Sequence, residues 1–231
     1  MAQWEFYRLV RAQEYVPVRL LGVFVGCLLF VLSFLIESGR IDSKYYFVVF
    51  PLASMIFLVK LYKKSDKNPF LNIAFYYLGI MYVALPFTLI NIIVFFHEIY
   101  GYQIILGLMV IIWASDTGAY FAGSLFGKTK LFERISPKKS WEGSIGGGIV
   151  ALICALIISR FHTDLNLLEW IIVGVIVVIT GIYGDLVESL FKRSMSIKDS
   201  GNIIPGHGGF LDRFDSLILS VPFVVLFLKL F

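Results

Sequence analysis

The chain has 231 residues, of which 58% are hydrophobic and only 16% charged, with a net charge of +4. A soluble domain is about half apolar but about a quarter charged, so a water-facing surface this poor in charge is excluded, whereas a lipid-facing one does not need charge. The basic excess is spread over short loops and forms no Lys/Arg tract interleaved with aromatics, which excludes a nucleic-acid partner and points to membrane topology instead.

Met1 to Pro17 is polar and charged, and no A-x-A site follows the first apolar run, so that run is read as a retained helix. Apolar runs of about 18 residues or more predict spanning helices. Seven are read: 18–36, 45–62, 70–96, 102–126, 143–159, 167–187 and 214–231. The third is long and contains Pro86, which leaves three expectations: a kink, a tilt or a split into two shorter pieces. Cys27 and Cys154 lie inside runs and are read as small apolar residues, with no disulfide and no cysteine-based metal site. The expected fold is all-α, a polytopic transmembrane helical bundle.

The basic residues orient it. Only Arg40, Lys44, Arg160 and Lys229 fall in one set of loops; all other Lys and Arg residues fall in the alternate set. The richer set faces the cytoplasm by the positive-inside rule, which puts the N-terminus inside. Residues 1–100 carry N-terminal spans and little else. Residues 101–231 carry the chemistry, on two basic cytoplasmic loops, 127–142 and 188–213.

In the second loop, Lys192, Arg193 and Lys198 are cations that can clamp phosphate oxygens. Gly206, Gly208 and Gly209 flank His207 and let backbone approach a ligand closely. Arg213 lies between Asp212 and Asp215, which are three residues apart at the start of the last run and so share a helix face. Two carboxylates on one face repel unless a cation joins them, and Mg²⁺ takes oxygen ligands together with substrate phosphates. Each feature has a plainer reading by itself: dipole stabilisation for Asp212, topology for Lys192 and Arg193, a loop residue for His207. Their concentration within the 27 residues from Ser189 to Asp215 favours a metal–phosphate site.

Asp116 lies about ten residues inside its run, roughly 15 Å deep. A carboxylate there costs several kcal/mol unless paired or hydrated, so it reads as functional, the alternative being a structural hydrogen bond between helices. Asp185 stands at the cytoplasmic end of the sixth run. Ser136, Lys138 and Lys139 lie in the first basic loop, where the lysines can hold a triphosphate tail, a lipid phosphate or anionic headgroups. Gly127-Lys128-Thr129 is not a Walker A loop, since the upstream glycine is missing and no strand precedes it. Gly143, Gly146, Gly147 and Gly148 are expected to serve close helix packing.

These residues give the chain a resemblance to the CDP-diacylglycerol synthase (phosphatidate cytidylyltransferase) family. Ser189, Lys192, Arg193, Lys198, Asp199, Pro205, His207, Gly208, Gly209, Asp212, Arg213 and Asp215 follow its signature. Shorter likenesses run over Ser115 to Tyr120, Ser136 to Gly143 and Gly184 to Glu188. The resemblance implies transfer of the cytidylyl group of CTP to phosphatidate, a membrane lipid, in phospholipid biosynthesis at a bacterial-type inner membrane. It implies Asp185, Asp212 and Asp215 as carboxylates of a Mg²⁺ centre, with a monovalent cation such as K⁺ as a second candidate cofactor. Lys192, Arg193, Lys198 and His207 join the expected catalytic set. Ser136, Lys138, Lys139, Gly206, Gly208, Gly209, Arg213 and Asp116 join the expected substrate-binding set, and a homodimer is compatible with it. Two other readings stay open: another CTP-using lipid enzyme such as a polyprenol kinase, and a transporter using Asp116 and Asp185 as an ion path.

Overall fold

The computed structural model describes residues 1–12, 18–64, 66–197 and 208–231. The chain divides into two compact units: Met1–Ile99 with Met195–Phe214, and Tyr100–Ser194 with Asp215–Phe231.

The first unit opens on a helix the apolar runs did not announce, α1 (Ala2–Ala12). It is amphipathic: Phe6, Tyr7 and Val10 are buried, while Trp4, Arg8 and Arg11 are exposed. The Tyr7 hydroxyl donates to the Tyr76 carbonyl at 2.7 Å, and Gln3 Nε2 donates to the Gly22 carbonyl at 2.9 Å. Burial pushes the Tyr7 hydroxyl above the ordinary tyrosine pKa, which keeps it a donor. Arg19, at the start of α2 (Arg19–Glu37), places its guanidinium 3.5 Å from the Trp4 ring centroid.

A 3₁₀ turn (Ser43–Val48) leads into α3 (Val49–Tyr62). Then α4 (Pro69–Leu78) passes through a π turn (Gly79–Ala84) into α5 (Leu85–Val94). The π turn decides the question that Pro86 raised. Proline has no N–H for the carbonyl four residues earlier, and the widened turn absorbs the mismatch without ending the helix. Lys60 and Asp66, both buried, pair at 2.5 Å, and Asn72 Nδ2 donates to the other Asp66 oxygen at 2.6 Å. Burial alone raises the Asp66 pKa. The hydrogen bond and charge of Lys60, with Asn68 and Asn72, outweigh that and hold the carboxyl below its usual range.

The second unit contains α6 (Gln103–Phe126), a two-stranded antiparallel hairpin of β1 (Lys130–Phe132) and β2 (Ser136–Ser140), α7 (Trp141–Ile158), α8 (Leu167–Ser194) and most of α9 (Leu211–Leu230). Helices α6 and α7 are held backbone to backbone. A Cβ added at Gly147 would meet the Ser115 carbonyl at 2.6 Å and Ala119 Cβ at 2.9 Å. Gly143 meets Ala119 and Gly123 in the same way, and Gly146 faces Ala122. Gly148 instead faces Val178 of α8. The glycine-rich start of α7 is thus a packing surface, as the small residues implied. Gly147→Leu is expected to lower the detergent-solubilised melting temperature, by about 2–3 kcal/mol of stability. Ile149→Leu, at an exposed position of the same helix, is the control and should melt as the wild type does.

Among the described residues, six helices are long and apolar enough to cross a membrane: Arg19–Glu37, Ser43–Tyr62, Pro69–Val94, Gln103–Phe126, Trp141–Ile158 and Leu167–Ser194. The seventh expected run is α9, 20 residues long, whose ends carry Asp212, Arg213, Asp215 and Lys229. The chain is a polytopic helical membrane protein, whose one addition to the expected all-α fold among the described residues is the small β1–β2 hairpin. Both expected loops are shorter than their bounds: α7 already begins at Trp141 and α9 at Leu211, and α8 runs on to Ser194. Glu188, Lys192 and Arg193, read as loop residues, lie on the last turns of α8. Glu188 and Lys192 pair at i, i+4 and support those turns.

Candidate active site

The polar end of α8 is set by its contact with α9. A Cβ added at Gly184 would meet the Asp215 carbonyl at 2.6 Å and Ser216 Cα at 3.1 Å, so the two backbones touch there. Farther along, Thr180 Oγ1 donates to Ser220 Oγ at 2.8 Å. This packing brings Asp185, the residue after Gly184, to the same region as Asp215. One Asp215 oxygen accepts from the Ser216 N–H at 2.6 Å.

Asp185 has two partners. Its Oδ1 accepts from Ser189 Oγ at 3.2 Å, one helical turn on, and its Oδ2 lies 2.5 Å from Lys139 Nζ. Lys139 comes from β2, so the hairpin delivers a cation to the end of α8. Both side chains keep some exposure, 26% for Lys139 and 37% for Asp185, so an incoming anion or cation can reach them. Asp116, exposed on α6, lies in the electrostatic field of Asp185 and Lys139, and Asp215 in that of Asp185, Asp116 and Lys139. Asp185 thus holds the Lys139 ammonium, and carboxylates from two further helices lie within electrostatic reach of the pair. Like charges in one field repel, which a proton or a further cation relieves, and an all-oxygen donor set is the kind Mg²⁺ prefers. Among the described residues no group of three or more His, Cys, Asp or Glu side chains forms a closed coordination cluster. The carboxylates share a field without enclosing a point.

Asp212 belongs to the first unit and has a local task there. Its Oδ2 accepts from the Gly209 N–H at 2.9 Å. Gly208 has φ +81, and a Cβ there would lie 3.1 Å from the same oxygen. Gly208 thus takes the left-handed conformation that favours glycine, and its close approach is to this chain's own aspartate. Next to Asp212, the Leu211 N–H donates at 2.8 Å to Glu5, a fully buried carboxylate on α1. The sequence reading passed over Glu5, which is 206 residues away and stands in a stretch taken as a polar lead-in. The available signal was a charged residue flanked by the apolar face of Phe6, Tyr7 and Val10.

The other expected site residues are distributed as follows. Lys192 Nζ is 2.5 Å from the buried Glu188 carboxylate, so its charge is already balanced. Lys138, Arg193 and Arg213 are exposed, and Ser136 is half-buried at the start of β2. Lys198, Gly206 and His207 lie outside the described residues. The Lys128 and Thr129 N–H groups donate to the Glu142 carboxylate at 3.1–3.2 Å. Those donors hold the hairpin on α7 and are not free for a phosphate, in keeping with the rejection of a Walker A loop. Glu142 is a further residue whose task the sequence did not disclose.

The sequence profile described as the cytidylyltransferase family matches residues 1–231. A phosphatidate cytidylyltransferase of Haemophilus influenzae is 36% identical over 239 residues, covering 95% of this chain and 83% of that protein. A phosphatidate cytidylyltransferase of Staphylococcus aureus is 44% identical over 177 residues, covering 74% of this chain. One of Staphylococcus epidermidis is 41% identical over the same length. The chain spans 65% of the length of either staphylococcal protein.

Proposed function

The chain belongs to the cytidylyltransferase family, and we propose that it transfers the cytidylyl group of CTP to phosphatidate, giving CDP-diacylglycerol and pyrophosphate, at the cytoplasmic face of a bacterial-type inner membrane. The observation that carries this reading is the pair of Lys139 and Asp185, with Asp215 on the neighbouring helix and both Asp116 and Asp215 within electrostatic reach of that pair. The names of the relatives supply the substrates.

The reaction suits these residues. A phosphatidate oxygen attacks the α-phosphorus of CTP, and the bond from that phosphorus to the oxygen bridging the β-phosphorus breaks. The phosphate monoester is an oxyanion near neutral pH, so position and charge matter more than a base. Lys139 meets a phosphate oxygen arriving at Asp185, and the exposed Lys138, Arg193 and Arg213 attract both anionic substrates. Asp185 and Asp215 would hold Mg²⁺, with Asp212 the third proposed ligand on its i, i+3 spacing and Asp116 adding negative charge. The ion's chemistry is neutralisation of the charge on two mutually repelling anions and on the departing pyrophosphate. The lipid's tails require a site at headgroup depth, where the ends of α8 and the hairpin carry their charges.

The test is purified protein in detergent with Mg²⁺, CTP labelled in the cytidine and phosphatidate. The expected products are labelled CDP-diacylglycerol and pyrophosphate, and EDTA should stop their formation. Release of CDP in place of pyrophosphate would instead mean kinase chemistry and overturn the reading.

A further inference from the structure

A carboxylate with no exposure, placed at the start of the helix that carries Asp212, is left unused by the reaction above. Glu5 Oε2 accepts from the Leu211 N–H at 2.8 Å, and Leu211 is itself fully buried. That N–H is one of the first-turn donors a helix leaves without an internal acceptor, and a negative charge there also suits the helix dipole. The other Glu5 oxygen faces Arg8 at 3.6 Å. Asp212, the next residue, uses its own carboxylate on Gly209. The first turn of α9 is thus fastened twice, once from within by Asp212 and once from α1 by Glu5.

Helix α1 is held at several points, so the anchor does not depend on any one of them. Phe6, Tyr7 and Val10 are fully buried, Tyr7 donates to the Tyr76 carbonyl, and Gln3 donates to the Gly22 carbonyl. An isolated solvating carboxylate would not be buried on such a helix without a partner, given the cost of desolvation. We propose that Glu5 is a positioning residue: it pins the first turn of α9 through Leu211 and thereby fixes the direction of the Asp212 carboxylate. The link to turnover rests on the proposed function. The link to the helix does not.

The experiment compares Glu5→Ala, Glu5→Gln and Tyr7→Phe with the wild type in the intact chain. Two quantities are read: amide hydrogen exchange of the 208–214 segment, and the Mg²⁺ concentration giving half-maximal turnover. Glu5→Ala should speed exchange in that segment and raise the Mg²⁺ requirement about tenfold, the scale seen when a group orienting a metal ligand is lost. Glu5→Gln keeps an acceptor for the Leu211 N–H and should restore both quantities to near wild-type values. Tyr7→Phe loosens α1 without touching α9 and should leave both unchanged even if it lowers the melting temperature. Wild-type exchange in Glu5→Ala overturns the anchor. Faster exchange with an unchanged Mg²⁺ requirement overturns the positioning role, as does a Tyr7→Phe variant that reproduces the shift. An inactive wild type removes the proposed function and leaves the exchange result to decide the anchor by itself.

Discussion

Asp215→Asn is expected to abolish cytidylyl transfer for practical purposes, lowering turnover about 10²- to 10³-fold, while the protein still purifies and melts as a folded species. The magnitude is that of losing one preorganised electrostatic group at a charged transition state. Asparagine has the same shape, and its carbonyl oxygen can still accept from the Ser216 N–H. What it removes is charge. Gly184 packs against the Asp215 backbone, which the substitution leaves in place, so the contact of α8 with α9 survives the change. The measurement is turnover of CTP and phosphatidate at saturating Mg²⁺, with a melting curve beside it. Asp212→Asn makes the comparison sharper. One Asp212 oxygen is committed to Gly209, and asparagine retains an acceptor there, so a smaller loss is expected. Wild-type turnover in Asp215→Asn, with the melting curve unchanged, would remove that residue from the chemistry altogether.

How much of this could be read from the sequence depended on the range of the interaction. Membrane helices were legible because their signal is a local run of apolar residues, and Pro86 marked the place where the third run deforms. The glycines of α7 were legible because small residues recur on one side of an apolar helix. Asp185 and Asp215 stood out because a carboxylate at the end of an apolar run needs a reason. Helix α1 was missed because 11 amphipathic residues make no run, and its apolar face shows only against the helices it docks on. The hairpin was missed because Ser136-Pro137-Lys138-Lys139-Ser140 is polar throughout and offers no period-2 alternation. The end of α8 was drawn short because Glu188 and Lys192 read as loop charges until their i, i+4 pairing is seen. Contacts between distant stretches, Lys139 with Asp185 and Glu5 with Leu211, have no local signature at all.

Lys139→Met should lower two quantities that a plain loss of substrate binding would not lower together. Turnover should fall, by about 10²-fold, because a cation facing the substrate phosphates is lost. The Mg²⁺ concentration for half-maximal rate should also fall, because the ammonium 2.5 Å from Asp185 no longer competes for that oxygen. Without Lys139, Asp185 loses its paired cation and Asp116 and Asp215 a nearby one, and the repulsion among them favours a divalent ion. The methionine is close to lysine in length and preserves the packing of β2 against α7, so a folding defect does not mimic the result. Lys139→Arg retains the charge and can still engage the Asp185 carboxylate, so its Mg²⁺ requirement should stay near that of the wild type. Rates measured across a Mg²⁺ series at fixed CTP and phosphatidate separate the two effects. A Mg²⁺ requirement that rises in Lys139→Met, or does not move, would mean that the lysine and the metal do not share Asp185, and the site would have to be rebuilt without that pairing.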